Sequence, residues 1–279
     1  MKRRALLIAC GVPAALLLFF LLTLWFIPND AIKGVLVRVA ENGGYTLDCP
    51  KLSKAFPIGV KAPALSLSSG KGEVLRLKDT RVALRVLPLL AGKIRFGYEA
   101  GIGAAGRIEG DFDAGRRRQL SFTAKGVRLE DIPFFSTVAS ARVKGELRGD
   151  GTLVQKGAGM AGGIQLQVRG AELAGVKIAQ TPLPDAAYRD VRGALAIDGG
   201  RATLKSFTLD GDGIYVRLKG DAVLAQPVGL SPLNLTVEMM PKPSFLERQK
   251  FVFLLLMKYQ TSPGAYTIPV RGSLAHPSI

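Results

Sequence analysis

Most of this chain alternates between apolar and polar positions. Val82, Leu84 and Val86 take turns with Arg81, Ala83 and Arg85, and Gly106, Ile108, Gly110 and Phe112 with Arg107, Glu109, Asp111 and Asp113. Leu120, Phe122 and Ala124 follow the same rule, as do Ala141, Val143, Gly145 and Leu147, then Ile164, Leu166 and Val168. It returns at Val191, Gly193, Leu195 and Ile197, at Ile214, Val216 and Leu218, and at Leu233, Leu235, Val237 and Met239. Successive side chains of a strand point to opposite faces, so each run has one dry and one wet face. A helical period would bring the charges inside. Strands are therefore expected across residues 45–240. The clusters at residues 149–151, 198–200 and 210–213, rich in Gly and Asp, supply the positive φ of hairpin turns and favour antiparallel neighbours. Near Ser206 the apolar phase slips, which predicts a bulge. The prolines of residues 181–185 mark a stiff break dividing the array. The pattern predicts a mainly β protein with an elongated, curled antiparallel sheet and short capping helices.

Three stretches depart from this period. The run from Ala5 to Ile27, with Leu16 at its middle, contains no charge, and Thr23 is its one polar member. At ~1.5 Å per residue it is long enough to cross a hydrocarbon core of ~30 Å as a transmembrane helix. Lys2, Arg3 and Arg4 before it favour a cytoplasmic tail of residues 1–4, leaving residues 28–279 in the periplasm of a bacterial cell. A cleaved signal would need a shorter apolar region and a small-x-small site, which Leu24 to Pro28 lack. Cys10 has the letters of a lipobox before it but too little apolar length upstream.

After the span, Asn29 or Asp30 can cap a helix over residues 31–41, with Ile32, Val35, Leu36 and Val39 on one stripe and Gly43-Gly44 as its stop. This helix either continues from the membrane or lies across the end of the sheet. A second helix is expected over residues 245–259, with the capping-box letters of Ser244 and Glu247 and with Pro241 and Pro243 ahead of it. Its apolar run, residues 251–257, is too short to span a membrane. It reads as a plug over the open end of the sheet, or as a docking helix for a partner or bilayer.

The balance is 38 basic to 22 acidic residues, and removing Lys2, Arg3 and Arg4 leaves an exported excess of about +13. Such an excess suits acidic partners or lipid phosphates. Export of the charge argues against nucleic acid. With Cys10 in the bilayer, Cys49 has no internal partner and is free, buried or bonded to another chain.

Candidate chemistry is sparse. Gly101 to Gly106 spells a dinucleotide-binding loop, but the run that follows alternates instead of opening the helix such a loop needs. His276 is the single histidine, which leaves almost nothing for a His-dependent triad or zinc site. Asp111 and Asp113 point outward from a strand, and Asp210 and Asp212 fall in a turn, where a weak cation site is conceivable. No catalytic, cofactor-binding or metal residues are expected. Surface is what remains: sheet edges able to accept a strand, or an apolar face able to hold acyl chains.

The ending Gly264-Ala265-Tyr266-Thr267-Ile268-Pro269-Val270-Arg271-Gly272-Ser273-Leu274-Ala275-His276-Pro277 resembles the closing signature of the type II secretion system N proteins (GspN). The apolar run before it, the N-terminal anchor and the total length also fit. That resemblance implies an accessory, non-enzymatic inner-membrane component that meets other secretion subunits in the periplasm. The exposed residues expected to make such contacts are Phe251, Phe253 and Leu255, with Arg81, Arg85, Arg142, Lys144, Arg148, Arg217 and Lys219. A broader similarity, through Arg192 to Leu204 and on to Leu224, is to the AsmA-like family of anchored periplasmic sheets. It implies a lipid-carrying groove lined by Val82, Leu84, Val86, Val143, Leu147, Leu195, Ile197, Val216 and Leu218, although this chain is shorter than such bridges usually are.

Overall fold

The computed structural model describes residues 29–279 apart from 56–57, 116–117, 158 and 179–180. The expected span from Ala5 to Ile27 and the tail before it lie outside the described residues. Among the described residues no helix is long and apolar enough to cross a membrane.

Alternation is realised as strands. In chain order these are β1 (Thr46–Asp48), β2 (Ser53–Ala55), β3 (Gly59–Ser69), β4 (Gly72–Leu84), β5 (Arg95–Ile102), β6 (Gly106–Asp113), β7 (Gln119–Arg128), β8 (Arg142–Lys156) and β9 (Gly159–Ala174). They continue as β10 (Lys177–Ile178), β11 (Thr181–Pro182), β12 (Ala186–Asp198), β13 (Arg201–Asp210), β14 (Ile214–Val223), β15 (Leu233–Pro241), β16 (Gln260–Ser262), β17 (Ala265–Gly272) and β18 (Pro277–Ser278). The helices are α1 (Asn29–Asn42), α2 (Val86–Leu90), α3 (Pro133–Thr137), α4 (Pro243–Arg248) and α5 (Lys250–Leu255). One antiparallel sheet takes the order β1-β3-β4-β5-β6-β7-β8-β9-β12-β13-β14-β15-β17-β16, and β2 and β18 pair with β3 and β17. Register keeps the apolar phase continuous from strand to strand. Ile108 faces Ala124, Leu147 faces Val168, Val191 faces both Val168 and Leu209, and Val237 faces Ile268.

Several expectations need correction. Residues 149–151 are not a turn: they lie inside β8, opposite Ala124, Asp150's partner Thr123, and Phe122. Glycine is needed there because a β-carbon on Gly151 would stand 2.6 Å from the Phe122 ring, and one on Gly149 2.9 Å from the Gln165 carbonyl oxygen. Residues 198–200 do turn, with Gly199 and Gly200 both at positive φ (58° and 77°), the geometry of a two-residue hairpin loop. Residues 210–213 connect β13 to β14, but their glycines serve close approach: a β-carbon on Gly213 would meet the Phe245 ring at 2.5 Å. The prolines near 181–185 do not divide the array, because β9 and β12 pair directly across them. The bulge near Ser206 is present, as a register shift between Leu204 and Phe207.

That bulge also shifts the register of β12–β13, and further shifts interrupt β3–β4, β4–β5, β7–β8 and β8–β9. Bulges add local twist, and here the sheet coils back on itself. Lys71, in the β3–β4 turn, donates to the Ala275 carbonyl at 3.2 Å, and a β-carbon on Gly44 would stand 3.3 Å from Pro227 Cβ. Both contacts join opposite ends of the strand order.

α1 stops as expected at Gly43-Gly44, where Gly44 adopts φ 81° and Tyr45 N–H reaches back to the Ala40 carbonyl. Its stripe does not lie on the sheet, however: Val35, Leu36 and Val39 are exposed. The expected helix over 245–259 is two short ones plus a 3₁₀ turn at Met257–Tyr259, broken at Gln249. No capping box forms. Lys242 is the N-cap and Pro243 takes the first helical turn, where its missing N–H is harmless.

Candidate functional site: an apolar face closed at one end

The inner face of the sheet has two unlike ends. At one, α4, α5 and the 3₁₀ turn Leu129–Asp131 cover it. Phe245, Phe253, Leu256 and Leu129 join Val143, Tyr188, Val191, Val216, Met239 and Tyr266 in one packed cluster. Phe253 stacks edge-on to Phe245 at 6.1 Å between centroids and lies 5.1 Å from Tyr266. Tyr188 is buried deeply enough that its hydroxyl is pushed up to about 12. At the other end none of the helices among the described residues is laid over the strands. There Phe96, Phe112, Leu120, Phe122, Leu153, Ile164, Leu195, Ile197 and Leu204 are half-buried and belong to neither packed cluster of the molecule. Glycines punctuate this end so that rings lie flat on the backbone: Phe207 over Gly193, Phe122 over Gly151, and Tyr98 over Gly110.

The expected groove residues are therefore divided. Leu195, Ile197, Leu147, Leu218 and Val82 are half-covered on the inner face. Leu84, Val143 and Val216 are buried, with Val143 and Val216 sealed in the packed cluster, so these three do not line an open surface. Val86 is not on a strand at all: it opens α2 and faces solvent. Phe112, Leu120, Phe122 and Ile164 share the same alternating phase and were open to the same inference, but phase alone does not say which end is covered.

The expected contact residues divide as well. Phe251 is 85% exposed and Leu255 60%, and with Leu254 and Met257 they form an apolar knob on the outer side of α5. Phe253, by contrast, is 5% exposed and is the knob's root in the core. Most of the basic residues are engaged across the wet face. Arg85 pairs with Asp111 at 3.2 Å, Lys144 with Glu172 at 2.8 Å, Arg148 with Glu146 at 2.8 Å and Lys219 with Glu238 at 2.7 Å. Arg81 is exposed opposite Glu99. Arg142 and Arg217 are exposed and belong to no ion pair among the described residues; Glu238, across from Arg217, is held by Lys219. The outward carboxylates behave likewise, Asp113 pairing with Arg95 and Asp212 with Arg189.

The sheet edges offer little to an incoming strand. β3 is flanked by β2 at residues 59–61 and by β1 at 66–68, with Pro63 in the gap. β17 is flanked by β16 at 265–266 and by β18 at 271–272, with Pro269 in the gap. Short strands and prolines on both edges are the usual guard against strand addition. Among the described residues no group of His, Cys, Asp and Glu is placed to hold a metal ion, and Cys49 is buried and free. Residues 103–105 form the turn between β5 and β6, with Gly103 at φ 62° beneath Asp131, while Gly101 and Gly106 belong to the strands on either side.

No protein-family model matches this chain, and neither a curated protein nor a solved structure matches it.

Proposed function

We propose that this chain is an anchored accessory component of a bacterial type II secretion apparatus, working in the periplasm by contact and without catalysis. The use of the closing motif carries the reading. Gly264 holds φ 76° in the turn into β17, and Tyr266, Ile268 and Val270 point into the packed core. Gly272 holds φ 84° where a β-carbon would stand 2.5 Å from the His276 carbonyl oxygen, and Pro277 pairs with it in β18. The letters that carry the resemblance are the ones that close this sheet, so likeness in them is likeness in how the fold ends. The knob of Phe251 and Leu255, rooted by Phe253, is the surface best mounted for a partner. A photoreactive residue at Phe251 or Leu255, in cells that assemble a secretion apparatus, is expected to capture one of its inner-membrane subunits. Capture of no such subunit from either position would remove the reading.

A second reading, lipid handling of the AsmA-like kind, is favoured by the uncovered inner row. An acyl chain laid along Leu195, Ile197 and Leu204 would complete the burial that the helices provide at the other end. Full-length protein exposed to a phospholipid with a photoreactive tail is expected to carry label on peptides containing these residues. Label confined to residues 5–27 would discard it.

A further inference from the structure

The chain enters its sheet at one identifiable place. α1 ends at Asn42, and two residues later Gly44 packs on Pro227, in the connection from β14 to β15. Around that contact Leu224, Val228, Leu230 and Leu274 are exposed, and Val35 and Val39 of α1, the helix that leads into Gly44, are exposed as well.

This is not a loose end. Leu274 N–H donates to the Ser231 carbonyl at 3.0 Å, Ala275 N–H to that of Gly229 at 2.9 Å, and Leu224 N–H to that of Gly200 at 2.7 Å. The Ser231 hydroxyl, in a residue only 1% exposed, accepts from the Ala225 amide at 3.0 Å. A segment ordered by this many bonds yet holding its leucines outward presents a built apolar surface, and such surfaces mark contact sites.

The chain itself points to the occupant. The uncharged run from Ala5 to Ile27 stops two residues before α1, whose 14 residues rise only ~21 Å. Val35 and Val39 are four residues apart, hence on one face, and that face is not used by the sheet. A helix that directly follows a span starts at the membrane surface, so its unused apolar face is within reach of the interface, and the Gly44–Pro227 contact ties the β14–β15 connection to it. The knob on α5 is at the opposite end of β14 and β15, some nine residues or ~30 Å away.

We infer that the end of the sheet around Pro227 rests in the surface of the bilayer that holds the N-terminal span, with Leu224, Val228, Leu230 and Leu274 immersed beside Val35 and Val39. The inference rests on the anchored reading and is independent of which functional reading holds. It also sets the uncovered inner row at the membrane: the Leu224 amide is bonded to the turn that joins Ile197's strand to Leu204's, so a lipid tail could pass from the leaflet onto the sheet without crossing water.

The test uses full-length protein in vesicles of phosphatidylethanolamine and phosphatidylglycerol, with a photoreactive residue at Leu230 and, as the distal control, at Phe251. Alkaline carbonate extraction is read on the same samples. Expected are retention in the membrane and severalfold more lipid adduct from Leu230 than from Phe251. Retention with equal or no lipid adduct at Leu230 overturns the docking and leaves the anchor standing. A dimer-sized adduct at Leu230 in place of lipid assigns the patch to a second copy and overturns it too. Release by carbonate removes the anchor, and the docking with it.

Discussion

Two residues show how tightly single positions are held. Gly151 sits in the middle of a strand, where glycine ordinarily costs stability, because the Phe122 ring occupies the space its side chain would need. Gly151→Val should therefore lower stability by about 1–3 kcal/mol, the usual cost of overpacking, as a shift in the urea unfolding midpoint. Ser231 is the buried polar residue of the β14–β15 connection. Removing its hydroxyl takes away the partner of the half-buried Ala225 amide, and Ser231→Ala should cost about 0.5–1.5 kcal/mol by the same measurement. Neither demand was visible in sequence. A serine beside prolines and a glycine between polar residues both look like turn residues until the Phe122 ring of the neighbouring strand and the Ala225 amide across the connection are in place.

At the scale of elements, the strands were legible and the helices less so. A period of two is written into each strand by its own residues, so Leu195, Ile197, Val216 and Leu218 could be assigned one face without knowing their neighbours. The C-terminal helical segment was legible only as an apolar run. Its division at Gln249 turns Phe253 inward and Phe251 outward, and that is decided by the Phe245 and Tyr266 rings that receive Phe253. Of the three contact residues expected on this segment, Phe251 and Leu255 are therefore accessible and Phe253 is not. It also makes a sharp comparison. Phe253→Ala should cost about 3–5 kcal/mol, as for a buried ring, whereas Phe251→Ala should stay within about 0.5 kcal/mol of the parent. Equal losses in chemical denaturation would mean that α5 is seated differently. Which apolar residues remain uncovered was likewise beyond sequence, since the covered and open ends of the sheet share one phase and differ only in where α4 and α5 are laid.

Across the whole molecule, the wet face is laced by cross-strand ion pairs, and this gives the fold a direction in pH. Glu109 is held below the usual carboxylate range by the hydrogen-bonding Lys125 ammonium. Asp113 is lowered first by the Gly115 amide and then by Arg95, and Asp190 first by the Gln167 side-chain amide and then by Arg192. A carboxylate depressed in the folded state favours folding above its unfolded-state value and loses that contribution as pH falls through the folded value. Lys144, raised by Glu172, works in the opposite window: its contribution is present below the usual lysine range and lost only in strong alkali. Between these limits the pairs cancel much of the repulsion that the basic excess would otherwise impose on closely spaced strands. The unfolding midpoint in urea should accordingly be flat from neutral pH down to about pH 5 and fall below about pH 4, where free carboxylates take up protons. Asp190→Asn keeps an acceptor for Gln167 but has no proton to gain, so it should start lower at neutral pH and fall less steeply in acid. An unchanged acid limb in that variant would move the acid sensitivity away from the β9–β12 pair and onto the β5–β7 strands that carry Glu109 and Asp113.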